Sequence, residues 1–186
     1  MTEISIVVPV RNESQNIIPF LRRTENILNK IGKSYEIIFA LDPSTDNTEK
    51  VILDEIKRNK NIRLLVFSRQ FGQPAATMAG LSNCKGSFCI IIDVDLQDPP
   101  EVIEKLYKKI ISGNDVVYAK RRSRTGENFF KKLVSSLGYY LINKLSDIHI
   151  PRDVGDFRII SRKVINQLIK LNESHGYLRG MVAFVG

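Results

Sequence analysis

The residues from 88 to 100 constrain the fold of this chain more than any other stretch. The apolar run at residues 88–92 has no polar alternation, which is typical of a strand buried on both faces of a parallel sheet. Asp93 and Asp95 follow at once, at the sheet edge where parallel sheets bind ligands. If the backbone stays extended, the two carboxylates share one face and offer hard oxygen ligands to Mg²⁺ or Mn²⁺, with substrate phosphates completing the metal's shell. The competing interpretation is that these aspartates cap the helix expected at residues 101–112.

Strand and helix patterns alternate through the first 120 residues. Strand patterns lie at residues 4–10, 35–41, 62–67, 88–92 and 115–119. Helical patterns lie between them: a first helix that Asn12 or Ser14 can cap and Gly32 ends, then residues 49–57, 75–83 and 101–112. This order predicts an α/β domain with a Rossmann-like, mostly parallel central sheet flanked by helices. The chain has no G-x-G-x-x-G after the first strand and no Walker lysine loop, so ordinary dinucleotide-binding and phosphate-loop sites are poorly supported.

The size and charge of the chain limit the classes of protein to which it can belong. A chain of 186 residues, 43% hydrophobic and 26% charged, fits one globular domain, and no apolar run approaches the roughly 18 residues of a membrane span. The net charge of +8 favours an anionic partner such as a nucleotide, an anionic lipid surface or nucleic acid. Nucleic acid is the least supported, because no recognised motif or interleaving of aromatic and basic residues accompanies the charge. Cys84 and Cys89 have no ligand-spaced partners, so we expect reduced, buried thiols of a cytosolic protein.

Two polar segments in the second half are candidates for contact with a phosphate-bearing substrate. Arg121, Arg122 and Arg124 follow the fifth predicted strand, where arginine forks suit phosphate oxygens. The alternative for these three residues is a solvated basic loop. Asp156 and Arg158 are two residues apart, so an acid and a cation could face one site.

The remaining segments concern the membrane and the end of the chain. Residues 127–145 form a basic amphipathic helical pattern, which suits either packing on the core or a membrane interface. Ser161 is expected to cap a helix at residues 162–171. Residues 177–186 form an apolar, strand-like run. Because natural domains seldom finish on such a run without a polar tail, we expect the chain to be a fragment of a longer protein.

Seven features of the sequence point together to a known family. They are VVPVRNE, the acidic loop after the second strand, SRQFGQPAATMAG, DVDLQDPPE, YAKRRSRTGE, GDFRIISR and YLRGMVAFVG. This combination resembles the family 2 inverting glycosyltransferases of GT-A fold, and within them the polyprenyl-phosphate glycosyltransferases. It is similar to dolichol-phosphate mannose synthases and to the bacterial enzymes that make undecaprenyl-phosphate glucose. The likeness covers essentially the whole chain, so it implies a single GT-A catalytic domain over residues 1–186.

The resemblance also implies a set of site residues. Those implied to bind the nucleotide sugar are Pro9, Val10, Glu13, Asp42, Gln73, Asp93, Arg121 and Arg124. Those implied to hold the metal are Asp93, Asp95 and Gln97, and those implied to act in catalysis are Asp95, Arg122, Asp156 and Arg158. One departure leaves the choice between a uridine and a guanosine donor open. The family often has two aspartates, glycine and serine after the second strand, whereas residues 41–44 here are LDPS.

The activity implied by the resemblance is a metal-dependent transfer with inversion, using Mg²⁺ or Mn²⁺. Glucose would move from UDP-glucose to undecaprenyl phosphate at the cytoplasmic face of the plasma membrane, where C-terminal membrane segments would hold the domain. Asp156 would either orient the acceptor or act as a base. A GDP-mannose donor and a saccharide acceptor are the nearest alternatives, and a non-catalytic nucleotide-sugar-binding module is the non-enzymatic one. A homo-oligomer also stays open.

Overall fold

A six-stranded sheet forms the centre of this computed structural model, which describes residues 2–120, 154–171 and 177–185. The strands are β1 (Ile4–Val10), β2 (Tyr35–Leu41), β3 (Ile62–Val66), β4 (Phe88–Ile91), β5 (Val116–Lys120) and β6 (Val154–Ser161). Their spatial order is β3-β2-β1-β4-β6-β5. The pairs among β1 to β4 are parallel, whereas β6 is antiparallel to both β4 and β5. The predicted α/β fold with a mostly parallel sheet is confirmed.

Helices cover both faces of this sheet. They are α1 (Ser14–Ile31), α2 (Thr48–Arg58), α3 (Gln73–Asn83), α4 (Ile103–Ile110), α5 (Arg162–Lys170) and α6 (Leu178–Val185). A short 3-10 turn, Pro100–Val102, precedes α4. As predicted, α1 ends where Gly32 adopts a left-handed φ of 69°, and the Ser161 hydroxyl caps α5 by accepting the Val164 amide.

Two apolar layers hold the helices to the sheet. Ile6 and Val8 of β1 belong to the layer formed with α1, α2 and α4, whereas Val7 belongs to the layer formed with α3, α5 and α6. Gly80 lets α3 approach β1 closely, because a Cβ at this position would collide with Val7. Both cysteines are free and buried in the second layer, as expected. The packing on both faces fixes the strand ends from which the site loops leave.

The end of the chain differs from the sequence prediction. Residues 177–186 were predicted to be strand-like, but Leu178–Val185 is the helix α6. Leu178, Met181 and Val182 are buried at helical spacing, and they join the apolar layer that contains α5. The strand prediction was wrong because a short, nearly continuous apolar run fits a buried strand and a buried helix equally well.

The strand β6 is an element that the sequence patterns did not reveal. Phe157 and Ile159 face one apolar layer and Ile160 faces the other, so this strand is buried on both sides. Its position next to β4 brings residues 154–161 beside the strand that precedes Asp93. The predicted amphipathic helix at residues 127–145 lies outside the described residues. Within the described ranges, no helix has the length and apolar character needed to cross a membrane.

Candidate functional site

A cavity of about 340 Å³ opens at the carboxyl ends of β1, β2 and β4, beside the first turn of α3. Seven residues predicted to bind the nucleotide sugar or the metal line it: Pro9, Val10, Glu13, Asp42, Gln73, Asp93 and Asp95. The other lining residues are Arg11, Gln70, Gly72, Ala76 and Val94. The described lining therefore contains four acidic side chains and one arginine. The sheet topology brings these residues together because parallel strands end at the same edge.

Asp42 anchors the loop that forms one wall of the cavity. Its side chain is 4% exposed, and its two carboxylate oxygens accept the backbone amides of Phe71 (3.1 Å) and Gly72 (2.7 Å). The Phe71 ring lies 5.6 Å from the ring of Phe67, and the Arg69 guanidinium lies 4.8 Å from the centre of the Phe71 ring. Asp42 thus lies on the cavity wall, and its described contacts organise the loop; its contact with a nucleotide sugar stays a prediction.

Hydrogen bonds between the β1–α1 loop and the β2–α2 loop hold the adjoining wall. They join the Asn12 amide to Ser44 Oγ (2.9 Å), the Glu13 amide to Thr48 Oγ1 (2.8 Å), the Ser14 amide to Asp46 Oδ2 (3.0 Å) and the Thr45 amide to Asn12 Oδ1 (2.7 Å). The prediction that Asn12 or Ser14 caps α1 was wrong, because the N-cap residue is Glu13 and makes no side-chain cap bond. Instead, the backbone amides of Glu13 and Ser14 at the start of α1 donate to the side chains of Thr48 and Asp46. These bonds couple the two loops.

Asp46 is the charged member of this loop junction. Burial is the largest single influence and raises its pKa, but the hydrogen bonds from Thr48 and Ser14 together outweigh burial and hold the pKa well below its ordinary value. The carboxylate is therefore ionised at neutral pH. By accepting the Ser14 and Thr48 amides, it holds the two loops together.

Asp93 and Asp95 reach the cavity by a route that differs from the predicted one. β4 ends at Ile91, a turn begins at Val94, and Leu96 adopts a left-handed φ of 61°. The condition of an extended backbone from Asp93 to Asp95 is therefore not met, and both aspartates nevertheless line the same cavity. Asp93 Oδ1 accepts a hydrogen bond from Gln73 Nε2 (2.8 Å), and Asp95 Oδ1 accepts the Gln97 amide (3.0 Å).

The carboxylates of the cavity fit a divalent cation that is shared with a substrate. Within the described residues, no cluster of three or more His, Cys, Asp or Glu side chains forms a complete metal cage. Mg²⁺ and Mn²⁺ are commonly bound by one or two carboxylates together with substrate phosphates, which matches Asp93 and Asp95. Gln97 is exposed and is not among the cavity-lining residues, so the structure brings together only two of the three predicted metal ligands.

A second group of charged residues, here called the Asp156 cluster, consists of Asp156, Arg158 and Arg179. Arg158 lies on β6 with Asp156, is fully buried, and donates from Nη2 to Asp156 Oδ1 (2.7 Å) and from Nε to the Asp156 carbonyl oxygen (3.1 Å). Its guanidinium also lies 5.5 Å from the centre of the Tyr118 ring. Arg179 comes from α6 and donates from Nε to Asp156 Oδ1 (3.0 Å) and from Nη2 to Oδ2 (3.2 Å).

The two arginines keep Asp156 ionised. Burial raises the pKa of Asp156, but the guanidiniums of Arg179 and Arg158 outweigh burial, and the resulting pKa lies below its ordinary value. Burial lowers the pKa of Arg158, while its interaction with Asp156 opposes that effect. A carboxylate held in this state is a weak proton acceptor, because its conjugate acid is strengthened.

Arg179 is a member of the Asp156 cluster that the sequence analysis did not select. The YLRG segment contributed to the family resemblance, but its interpretation as strand-like gave no reason to place Arg179 beside Asp156. The loop after β4 also approaches the start of β6, since a Cβ on Gly155 would lie 3.8 Å from Asp98 Oδ2. The Asp156 cluster therefore neighbours the loop that carries Asp93 and Asp95. The predicted Arg121, Arg122 and Arg124 lie outside the described residues.

Comparison with known proteins identifies relatives along the whole chain. The family model described as Glycosyl transferase family 2 matches residues 5–169. An uncharacterized glycosyltransferase of Synechocystis sp. is 40% identical over 99% of this chain and 58% of its own length. A bactoprenol glucosyl transferase of Shigella phage SfV is 38% identical over 99% of this chain and 60% of its own length. The chain thus spans less than two thirds of the length of these relatives.

Solved structures show the same fold at low sequence identity. Glucosyl-3-phosphoglycerate synthase from Mycobacterium tuberculosis, solved with Mn²⁺, UDP-glucose and phosphoglyceric acid, matches with a TM-score of 0.65 at 19% identity. That match covers 98% of this chain and 68% of the solved one. Mannosyl-3-phosphoglycerate synthase from Rubrobacter xylanophilus matches with a TM-score of 0.66 at 18% identity, over 88% of this chain and 55% of its own. These neighbours are glycosyltransferases of GT-A fold, and the predicted fold class is confirmed.

Proposed function

This chain belongs to glycosyl transferase family 2, and we propose that it moves a glucosyl group from UDP-glucose to the phosphate of undecaprenyl phosphate. The observation that carries the proposal is an acidic cavity, with Asp93 and Asp95, that neighbours an arginine-rich cluster at the same sheet edge. Relatives named bactoprenol glucosyl transferase, 38% identical over nearly the whole chain, support the sugar and the lipid acceptor.

The cavity is proposed to hold the nucleotide sugar. Pro9, Val10 and Glu13 would form one wall, and the loop anchored by Asp42 would form the adjoining one. Asp93 and Asp95 would hold Mg²⁺ or Mn²⁺, which when bound neutralises charge on the diphosphate leaving group. Gln73 fixes the Asp93 carboxylate by its 2.8 Å hydrogen bond, so this ligand is already oriented.

The Asp156 cluster is proposed to receive the acceptor. A phosphate monoester has a second pKa of about 6, so it is largely ionised near neutral pH and needs no strong base to become a nucleophile. Asp156, ionised between two guanidiniums, is accordingly proposed to orient the acceptor rather than to take its proton. Attack of the phosphate oxygen on the anomeric carbon forms one bond as the bond to the nucleoside diphosphate breaks, which inverts the configuration in a single step.

The surroundings of the reaction are part of the proposal. Residues 1–186 would be the catalytic domain acting at the cytoplasmic face of the membrane, where the net charge of +8 favours anionic headgroups. Arg121, Arg122 and Arg124 would contact the donor diphosphate or the acceptor phosphate, and this role stays a prediction. The presence of C-terminal membrane segments and the oligomeric state also stay predictions.

The test is a transfer assay with two donors. Purified protein in detergent micelles with undecaprenyl phosphate and Mn²⁺ is given radiolabelled UDP-glucose or GDP-mannose, and label is followed into the lipid fraction. We expect label from UDP-glucose alone, which disappears when the metal is chelated. Label from GDP-mannose would correct the donor and keep the reaction. Label in neither case, while a saccharide acceptor becomes labelled, would refute the lipid acceptor.

A further inference from the structure

One cavity-lining residue carries a positive charge and takes no part in the hydrogen bonds that hold the cavity walls. Arg11 is exposed, and its side chain makes no hydrogen bond or ion pair with the residues that the structure describes. The acidic side chains near it have neutral donors instead. Glu13 Oε2 accepts Asn16 Nδ2 (2.6 Å), and both Asp42 and Asp95 accept backbone amides. Arg11 therefore does not serve as the counter-charge of these carboxylates.

The backbone that follows Arg11 has an uncommon conformation. Asn12 adopts a left-handed φ of 54°, and hydrogen bonds to the β2–α2 loop hold both its amide and its side chain. Among the described residues, the other non-glycine residue with a left-handed φ is Leu96, which follows Asp95 directly. Strained backbone of this kind is concentrated at ligand-binding sites. The cavity arginine and one proposed metal ligand are thus each followed by a residue held in this conformation.

Arg11 leaves the sheet between the two strands that lead to the aspartates of the cavity. β1 lies between β2 and β4 in the sheet. On one side the Asp42 amide donates to the Val10 carbonyl oxygen (3.1 Å), and on the other side β1 pairs with β4, which leads to Asp93. In the order of the sheet, Arg11 therefore lies between the wall anchored by Asp42 and the carboxylates proposed to hold the metal.

The chemistry of a guanidinium indicates which part of a nucleotide sugar it suits. The diphosphate is the charged part of that ligand, and its negative charge must be offset in an acidic lining. A divalent cation at Asp93 and Asp95 offsets part of the charge. A guanidinium presents parallel N–H donors that match phosphate oxygens. It has no acceptor, so it cannot pair with the N–H group of a uracil edge. Arg11 is therefore better matched to the diphosphate than to the base.

We propose that Arg11 is a substrate-binding residue that contacts the diphosphate of the nucleotide-sugar donor. The assignment rests on the proposed function, which supplies the nucleotide sugar, and it adds a donor-binding residue that the sequence analysis did not select. The role is additional to the one predicted for Arg121, Arg122 and Arg124. Together with the metal, Arg11 lets an acidic cavity accept an anionic ligand.

The experiment compares Arg11→Ala and Arg11→Lys with Arg22→Ala, which removes an exposed arginine of α1 that does not line the cavity. Equilibrium dialysis with radiolabelled UDP-glucose and Mn²⁺ measures binding, with unlabelled UDP or uridine as the competitor. For Arg11→Ala we expect the Kd for UDP to rise about tenfold, since a charge-assisted hydrogen bond is lost, and the Kd for uridine to stay within about twofold. Arg11→Lys, which keeps the charge without the fork, should lie between wild type and Arg11→Ala, and Arg22→Ala should match wild type.

The salt dependence of UDP binding distinguishes a charge contact from a structural role. NaCl screens the attraction between an exposed guanidinium and a phosphate, so the affinity of wild type for UDP should fall more steeply with NaCl than that of Arg11→Ala. Equal losses of UDP and uridine affinity in Arg11→Ala would overturn the diphosphate contact, as would an unchanged UDP affinity or an equal salt dependence. Wild type that binds UDP through Arg11 but transfers no sugar to undecaprenyl phosphate would support the role of Arg11 and refute the proposed function alone.

Discussion

The cavity and the Asp156 cluster both depend on carboxylates, but they give those carboxylates different partners. Asp42 and Asp95 accept hydrogen bonds from backbone amides, which leave the negative charge of each aspartate in place. Asp156 instead accepts hydrogen bonds from two guanidiniums, so its negative charge is balanced by cationic partners. The cavity is therefore suited to a cation and the Asp156 cluster to an anion.

In this fold the type of hydrogen-bond donor around an aspartate determines whether its carboxylate keeps its negative charge or has that charge neutralised. Amide donors orient a carboxylate without neutralising it, so it can still attract a metal ion. Arginine donors neutralise a carboxylate and are themselves held in place by it. Placing the two arrangements side by side would bring a metal-bound leaving group and an anionic nucleophile together without one repelling the other.

The largest effect is expected from Asp95→Asn, which removes negative charge from the cavity alone. The cavity then attracts the divalent cation less, and we expect turnover to fall roughly a hundredfold to a thousandfold, as when one preorganised electrostatic group is lost from an active site. Transfer rates measured across a Mn²⁺ titration test this. Asp54→Asn on the exposed face of α2 is the matched control and should behave as wild type. An unchanged metal dependence in Asp95→Asn would show that Asp95 is not a ligand.

Asp156→Asn tests the Asp156 cluster through its effect on protein stability. This change leaves the buried Arg158 guanidinium without its counter-charge, so we expect the free energy of unfolding to fall by about 3 kcal/mol. Urea denaturation at pH 7 measures the loss. A loss as small as that of a surface ion pair would indicate that Arg158 is paired elsewhere.

The same pair predicts a pH dependence. Because the pKa of Asp156 in the fold lies below its ordinary value, the carboxylate stabilises the protein above that ordinary value, about pH 4, and the contribution is lost as the pH falls toward the folded pKa. The difference in unfolding free energy between wild type and Asp156→Asn should therefore shrink below about pH 4. Urea midpoints from pH 7 to pH 3 measure it, and a constant difference would contradict the ionised pair.

Asp42→Asn sharpens the comparison on the cavity side. An asparagine places an NH₂ group against one of the two amides that Asp42 now accepts, so we expect about 2 kcal/mol of lost stability. The loop at residues 67–72 should also loosen and raise the KM for UDP-glucose, without a matching change in the KM for the acceptor. A rise in the acceptor KM alone would contradict the assignment of this loop to the donor side.

The smallest effect is expected from Asp46→Asn at the loop junction. Loss of the charged acceptor for the Ser14 and Thr48 amides should cost about 1 kcal/mol, the usual scale for a helix cap. Hydrogen exchange should report this loss locally. In Asp46→Asn the Ser14 amide should exchange faster than it does in wild type, while amides within β1 should exchange at the wild-type rate. Unchanged exchange there would show that other contacts hold the two loops together.

The parallel part of the fold was predictable because its signals are local. Strands β1 to β4 are apolar runs that end in turn residues, and the carboxyl ends of parallel strands necessarily meet, which places Asp42, Asp93 and Asp95 at one edge. The partners of these residues were not predictable. The Asp42 bond to the Gly72 amide joins residues 30 positions apart, and its geometry depends on how one loop folds over another.

The antiparallel part was less accessible from sequence. Residues 154–161 form an internal strand between β4 and β5, separated from β5 by a long stretch of sequence, and no turn pattern in the sequence predicts it. The assignment of residues 177–186 to a strand concealed Arg179, because only the helix α6 carries its guanidinium to Asp156. The fold class and the position of Asp42, Asp93 and Asp95 at one sheet edge thus follow from pattern, whereas the pairing of Asp156 with Arg179 follows from tertiary packing.

The most direct measurement is calorimetric titration of UDP, with and without Mn²⁺, into wild type, Asp95→Asn and Asp156→Asn. If the cavity serves the donor and the Asp156 cluster serves the acceptor, UDP should bind to wild type and to folded Asp156→Asn with affinities within about twofold, only when Mn²⁺ is present. Asp95→Asn should lose this metal-dependent binding. Equal loss of UDP binding in Asp95→Asn and Asp156→Asn would contradict the separation of the two halves.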